Sequence, residues 1–288
     1  MGFINRPLVI TAAAVAAALA GGVVLASSSD AATTAAAAVT APPANATFDY
    51  QIGGAYTPPS GVTVVSRDRT ATVAPGIYNI CYLNAFQTQP DENLSSPDPS
   101  AYGTSAWWKK NHPDLLLKNS AGAYVEDKDW HEFLFDISTA AKRDSLMTIV
   151  GGWIDGCASA GYRAIEPDNL DSWQRSGNLL TSTKAVSMAT ALATRAHAKG
   201  LAIAQKNAGD LGSQGKTAGL DFAIVEECGR YTECDTYTSV YGTHMIDIEY
   251  NNSGFSKACS AIGATVSVVR RDVEVVPAGS GGYQYDAC

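Results

Sequence analysis

The stretch Gly161-Tyr162-Arg163-Ala164-Ile165-Glu166-Pro167-Asp168-Asn169-Leu170-Asp171 governs how the rest of the chain is read. It opens as a strand, with Tyr162, Ala164 and Glu166 on one side and Arg163 and Ile165 on the other, and breaks at Pro167 into a carboxylate-rich tip. Glu166 and Asp168 are two positions apart, so while the strand persists they share a face. Cleaving an acetal calls for a proton donor and for an anion beside the positive charge that develops. A parallel strand ending in two acids on one side can offer both. The competing reading is an ordinary helix start, in which Asp168 or Asn169 caps the next helix and Asp171 lies at its positive end.

Downstream the pattern recurs. A helix over Ser182 to Lys199 carries Ala185, Met188, Ala189 and Leu192 as an apolar stripe and stops at Gly200. Leu201 to Asn207 is a strand whose Ala202, Ala204 and Lys206 share a side, the small residues leaving room inside a closed sheet. Phe222 to Cys228 is a strand ending in Glu226 and Glu227, Met245 to Tyr250 ends in Glu249 and Tyr250, and Val266 to Val269 is a last strand before Arg270-Arg271-Asp272. Upstream, Leu146, Ile149, Val150, Trp153, Ile154 and Cys157 recur at helical spacing from just behind Asp144-Ser145 to Gly161. Glu132 to Ile137 reads as the strand before that helix. Phe48 to Ile52, Val62 to Val65 and Ile77 to Leu83 are three more, joined by connections too short for crossover helices. Between Gln87 and Trp130 the chain is polar. Trp107-Trp108 there would either stack on sugar rings or pin the loop to the body, and pinning is the weightier reading.

Strand after strand is apolar in its body and polar at its C-terminal end, the arrangement by which a (β/α)-barrel gathers its chemistry on one face. The fold expected is α/β, a (β/α)8 TIM barrel irregular in its N-terminal third and stapled by disulfides. Nine candidate strands exceed the eight that such a barrel holds. One of the first three, or the last, is therefore expected to pair outside the closed sheet.

Arg6 followed by an uncharged Ala, Val and Leu-rich run from Leu8 to Ala26 reads as a signal peptide over residues 1–26. The rival is a membrane anchor, since the run could just span a bilayer, but its weakly hydrophobic alanines favour cleavage. Residues 27–47, almost all Ala, Thr, Ser and Pro, read as a disordered linker, which leaves 48–288 as one barrel domain. With 20 Lys+Arg against 28 Asp+Glu the net charge is -8. Such a surface repels nucleic acid and anionic membranes and tolerates a cationic ligand, although acidity is also a common route to solubility. The six cysteines are an even number in a chain read as exported, so three disulfides are expected, with fifteen connectivities open. Cys228 with Cys234 would staple one loop, Cys259 with Cys288 would tie down the tail, and Cys81 with Cys157 is what is left over. The absence of CxxC and HExxH motifs and four scattered histidines argue against a metal site; His197 reads as a helix-surface residue.

Taken together, several ordered pieces resemble the endo-α-1,4-polygalactosaminidases of glycoside hydrolase family 114, from about Phe48 to Tyr250. They are Cys81-Tyr82, Gly161 through Glu166-Pro167-Asp168-Asn169 with Asp171, Ala196-His197-Ala198-Lys199-Gly200-Leu201 followed by Lys206-Asn207, Phe222 to Glu226-Glu227-Cys228 with Glu233-Cys234, and Ile248-Glu249-Tyr250. The resemblance implies a secreted TIM-barrel enzyme that cuts galactosamine-rich polysaccharide internally and with retention; no cofactor is expected. The carboxylate pair that it implies falls by motif on Asp168 and Glu226.

Within that frame Asp168 is expected as the nucleophile, because Lys206 lies near it in barrel order and a cation suits an ionised nucleophile. Glu226, on a longer side chain beside a stapled loop, is expected as the general acid that then becomes the base, although the two roles could be exchanged without altering the site. Asp49, Tyr82, Glu166, Lys206, Glu249 and Tyr250 are expected to orient the sugars, with Glu166 and Glu249 meeting ammonium groups. The bland alternative makes Lys206, Glu166 and Glu249 a structural ion network at the barrel mouth. The expected partner is polysaccharide, with no nucleic acid, no stable membrane association after signal cleavage, and a monomeric protein. Two rivals stand beside this reading: a carbohydrate-binding barrel without turnover, and a hydrolase of another α-linked glycan.

Overall fold

Alternating strands need neighbours on both edges, and here each finds them in the order of the chain. The computed structural model describes residues 39–288; the expected signal peptide and residues 27–38 of the expected linker lie outside them. The strands are β1 (Phe48–Gln51), β2 (Val64–Asp68), β3 (Tyr78–Asn84), a hairpin of β4 (Glu126–Asp127) and β5 (Glu132–Phe133), then β6 (Ala164–Asp168), β7 (Ala202–Lys206), β8 (Phe222–Glu226), β9 (Met245–Glu249), β10 (Ser267–Arg271) and β11 (Tyr285–Ala287). β1-β2-β3-β6-β7-β8-β9-β10 run parallel as neighbours, and β11 lies antiparallel along β10. The eight parallel strands curl into a nearly closed TIM barrel. Side chains bridge the remaining gap: from β10, Arg271 Nη1 donates to Asp49 Oδ1 of β1 at 3.2 Å, and from β11 the Tyr285 hydroxyl donates to the Phe48 carbonyl at 3.2 Å.

One side of each strand fills the interior. Phe48, Ile80, Phe222 and Ile224 pack there with the small Ala164, Ala202 and Ala204, all almost wholly buried. The alanines leave the space that the sequence pattern called for, because large side chains on every strand would overfill a ring of this size.

The helices are α1 (Ser105–Asn111), α2 (Ala140–Ala160), α3 (Ser172–Arg175), α4 (Ser182–Ala198), α5 (Gln214–Thr217), α6 (Cys228–Tyr231), α7 (Cys234–Tyr241) and α8 (Asn252–Ala261). α2 buries Leu146, Val150, Trp153, Ile154 and Cys157, and α4 buries Ala185, Met188, Ala189 and Leu192. α2 starts earlier than Asp144-Ser145 because Thr139 caps it, its side chain accepting from the Lys142 amide. It stops at Gly161, whose φ of 94° suits a residue without Cβ. Among the described residues no helix is long and apolar enough to cross a membrane.

Two expectations are corrected. The surplus strand is Glu132 to Ile137, not one of the first three or the last. Glu132–Phe133 pairs antiparallel with β4, Leu134 and Phe135 make single antiparallel bridges to Gln87 and Leu116, and the backbone there bonds to Leu117, Val125 and Phe86, all in the excursion of the chain between β3 and α2. Its apolar run is explained by packing outside the barrel, with the Phe135 ring 4.5 Å from that of the fully buried Trp108. Trp108 thus pins the excursion. The second correction concerns residues 39–47. Pro42 is buried, Val39, Ala41 and Ala46 pack on the barrel cluster, and the Thr47 carbonyl accepts from Thr63 and Val64. Small residues can dock where their own backbone is bonded, so these belong with the barrel.

The disulfides are Cys81–Cys157, from β3 to α2, Cys228–Cys234 between the starts of α6 and α7, and Cys259–Cys288, from α8 to the C-terminal segment.

Candidate active site

β6, β7 and β8 end in Asp168, Lys206 and Glu226. In each case the next residue, Asn169, Asn207 or Glu227, takes a left-handed backbone, with φ of 64°, 45° and 61°. The chain therefore turns sharply off each strand and leaves the tip side chain at the barrel mouth. Asparagine tolerates this conformation; glutamate adopts it only when neighbours enforce it. Asp168 is not a helix cap, and Asp171, at the N-cap of α3, makes no side-chain cap bond and instead pairs with Arg175 at 2.8 Å.

Lys206 ties the tips together. Its Nζ lies 2.9 Å from Glu166 Oε1, 3.6 Å from Asp168 Oδ1 and 3.4 Å from Glu226 Oε2, with only 2 % of the side chain exposed. Burial alone would push this ammonium toward neutrality, but the charges of Asp168, Glu166 and Glu226 outweigh it and hold its pKa well above the ordinary lysine value. A tyrosine serves each carboxylate: Tyr82 donates to Asp168 at 2.7 Å, Tyr50 to Glu166 at 2.8 Å, and Tyr250 to Glu226. Burial and the facing carboxylates push all three hydroxyls well above the usual phenol range, so they stay protonated and donate. Asn207 holds Glu226 twice, donating from Nδ2 to Oε2 and accepting the Glu226 amide with Oδ1, each at 2.8 Å.

Asp168 and Glu226 open into one cleft of roughly 680 Å³, also lined by Lys206, Tyr50, Tyr82 and Tyr250. A common partner at 3.6 and 3.4 Å holds these two carboxylate oxygens no further apart than about 7 Å, close enough for both to reach one glycosidic bond. Barrel closure thus places Asp168 and Glu226, far apart along the chain, on one groove.

The hairpin forms another wall. Glu132 accepts from Asn84 at 2.8 Å, Gln87 at 2.9 Å and Asn169 at 3.0 Å, and burial, outweighing the Gln87 and Asn84 bonds, raises its pKa to about 8. Arg175 pairs with Asp127 at 2.9 Å, and Trp130, half exposed, stands at the rim.

Of the residues expected to orient sugars, Tyr82, Lys206 and Tyr250 line the cleft and the other three do not. Glu166 is sealed beneath Lys206, where Ser66, Tyr50 and Lys206 donate to it. Asp49 faces away from the interior and is fully buried against Arg271 at 3.2 Å. Glu249 lies on the outer face of β9, buried against the amides of Gly229 and Arg230. Asp49 alternates with Tyr50 and Glu249 with Tyr250, so in each pair only the tyrosine reaches the mouth. Tyr50, Glu132 and Arg175 went unrecognised. Alternation in β1 would have signalled Tyr50 once Phe48 was placed inside; nothing local signals Glu132, which arrives from an excursion.

The sequence model of glycoside-hydrolase family GH114 matches residues 28–288. The chain belongs to this family. It is a glycoside hydrolase, and the carboxylate pair at the barrel mouth is the feature of its structure suited to that chemistry. Among solved structures it is similar to Aspergillus fumigatus Ega3 in complex with galactosamine, at 23% identity and a TM-score of 0.66, covering 87% of this chain and 98% of that one. It is also similar to the glycoside hydrolase domain of PelA from Pseudomonas aeruginosa, at 14% identity and a TM-score of 0.53, covering 83% and 98%. At these identities the likeness is one of fold. No curated protein sequence matches the chain.

Proposed function

We propose that this GH114 member is a secreted enzyme that cleaves internal α-1,4 bonds of galactosamine-rich polysaccharide by a retaining two-carboxylate mechanism. The observation that carries the reading is the placement of Asp168 and Glu226 in one cleft, on either side of Lys206. Asp168 Oδ1 attacks the anomeric carbon while Glu226 gives its proton to the departing oxygen. Glu226 then takes a proton from the water that breaks the glycosyl-Asp168 ester. Lys206 and Tyr82 hold Asp168 in place, and Tyr250 and Asn207 hold Glu226.

The substrate class is supported by the galactosamine complex of the similarly folded Ega3 and by the acids around this cleft, among them Asp129, Glu227 and Glu274. A polymer bearing ammonium groups meets a complementary field there. Glu166 and Glu249 have no part in that contact, being sealed off. Secretion is supported by the three disulfides, which oxidising compartments favour.

The test is release of reducing ends from a galactosamine-rich polymer, with the anomer of the first product read by NMR and product length by chromatography. Asp168→Asn and Glu226→Gln each lose at least about a thousandfold in kcat while melting as the wild type does. Raising salt raises KM for the deacetylated polymer. Full turnover by either variant removes that residue from the mechanism; terminal sugars as the sole early product end the internal-cleavage reading.

A further inference from the structure

Behind the mouth lies a second pair of acids that the chemistry above does not use. Asp247 and Glu249 are fully buried and two residues apart on the outer face of β9. Asp247 Oδ1 accepts from the Cys228 amide at 3.3 Å, and Glu249 Oε1 from the amides of Gly229 at 2.6 Å and Arg230 at 3.2 Å. These are the first amides of α6, whose own N-cap residue, Glu227, supplies no side-chain cap. Two carboxyl groups on a neighbouring strand thus cap the turn that follows Glu226.

Their other oxygens, Asp247 Oδ2 and Glu249 Oε2, are sealed from solvent and face no donor. Two ionised carboxylates side by side on one buried face cannot satisfy each other, since each offers acceptors only, and their like charges repel most strongly in the interior. One proton between them supplies the missing donor and removes one charge.

We propose that Asp247 and Glu249 share a single proton, and that this singly charged pair positions Glu226 by clamping the turn from β8 into α6. Burial and the adjacent Glu249 push the Asp247 carboxyl well above its ordinary value, so Asp247 is the donor and Glu249, which keeps two amide donors, the acceptor. The charged groups around the pair do not substitute for the proton. Glu226 and Glu227 approach from β8 with further negative charge. Arg230 is held by Glu227 at 2.7 Å, and Arg270, opposite Glu249 on β10, is taken up by Asp286. Cys228 and Cys234 come close enough to Asp247 to suggest a metal cluster, but their sulfurs are joined in a disulfide. From α8, Gly254, without a side chain, backs onto Glu249. The clamp reaches Glu226 through Glu227, whose left-handed φ of 61° is held between the strand tip and the capped amides. When the proton leaves, two adjacent charges force the turn apart.

The reading of Glu226 as acid and base is assumed for the positioning half of this proposal. An amide series tests it. Asp247→Asn or Glu249→Gln alone replaces the shared proton by an amide N–H facing a carboxylate, whereas the double variant sets amide against amide. The double variant is expected to lose at least about tenfold in kcat relative to either single variant, with KM within about twofold. The alkaline limb of the wild-type kcat profile should move in Asp247→Asn, and one protonated-carboxyl infrared band seen at neutral pH should vanish in that variant. Absence of that band, or a double variant no slower than the slower single one, overturns the proposal. The infrared measurement needs no substrate, so its failure is distinguishable from a mistaken substrate assignment.

Discussion

Lys206 is the residue on which the mouth depends: one buried ammonium faces Glu166, Asp168 and Glu226. Lys206→Met keeps the volume but strands Glu166 in the interior without a cation, which costs about 3–5 kcal/mol. The denaturation midpoint should fall accordingly, and reducing-end release should cease even where the variant is folded. Glu132 gives a pH signature. Its folded value of about 8 lies above the unfolded carboxylate value of about 4.3, so between these the folded protein binds more protons and stability falls as pH rises. Glu132→Gln should therefore melt like the wild type near pH 5 and higher than it near pH 9, by up to a few kcal/mol; equal melting at both pH values would show that burial does not govern Glu132. At this scale the sequence was readable where alternation ran from a fixed point, as from Glu166 to Asp168 or from Ala204 to Lys206. It misled where an acid was chosen over its alternating neighbour, as with Asp49 beside Tyr50, because charge draws attention and facing is set only by the closed sheet.

Among the elements, the turn out of β8 is the most constrained. α8 packs so closely behind it that a Cβ on Gly254 would stand 1.9 Å from Glu249 Oε2. Alanine is the better helix former by about 1 kcal/mol, yet Gly254→Ala should be destabilising by about 1–3 kcal/mol, because the clash falls on a buried carboxyl that has nowhere to move. Thermal melting decides the sign. Helices α2 and α4 were legible from their stripes, since burial of one face is written in the spacing of Leu146, Val150 and Ile154 or of Ala185, Ala189 and Leu192. The run from Glu132 to Ile137 was not, since an apolar segment packed on Trp108 outside the barrel has the same composition as one inside it.

For the whole molecule, the disulfides differ in what they restrain. Cys81–Cys157 closes a separation of 76 residues and Cys228–Cys234 one of 6. Chain entropy then assigns about 4 kcal/mol to the first and about 2 kcal/mol to the second. Replacing both cysteines of each pair by alanine and comparing unfolding midpoints should return that order; a reversed order would mean that the short staple acts on the folded state instead. The barrel itself could be inferred from recurring polar strand ends, whereas its side-chain seam between β1 and β10 depends on Asp49 and Arg271, which lie at opposite ends of the domain. The charged layer at the mouth rests on a dry apolar plug of Phe48, Ile80, Ala164, Ala202 and Phe222. Hydronium and hydroxide therefore come and go from the groove side, and a glycan lying in that groove stands in their path.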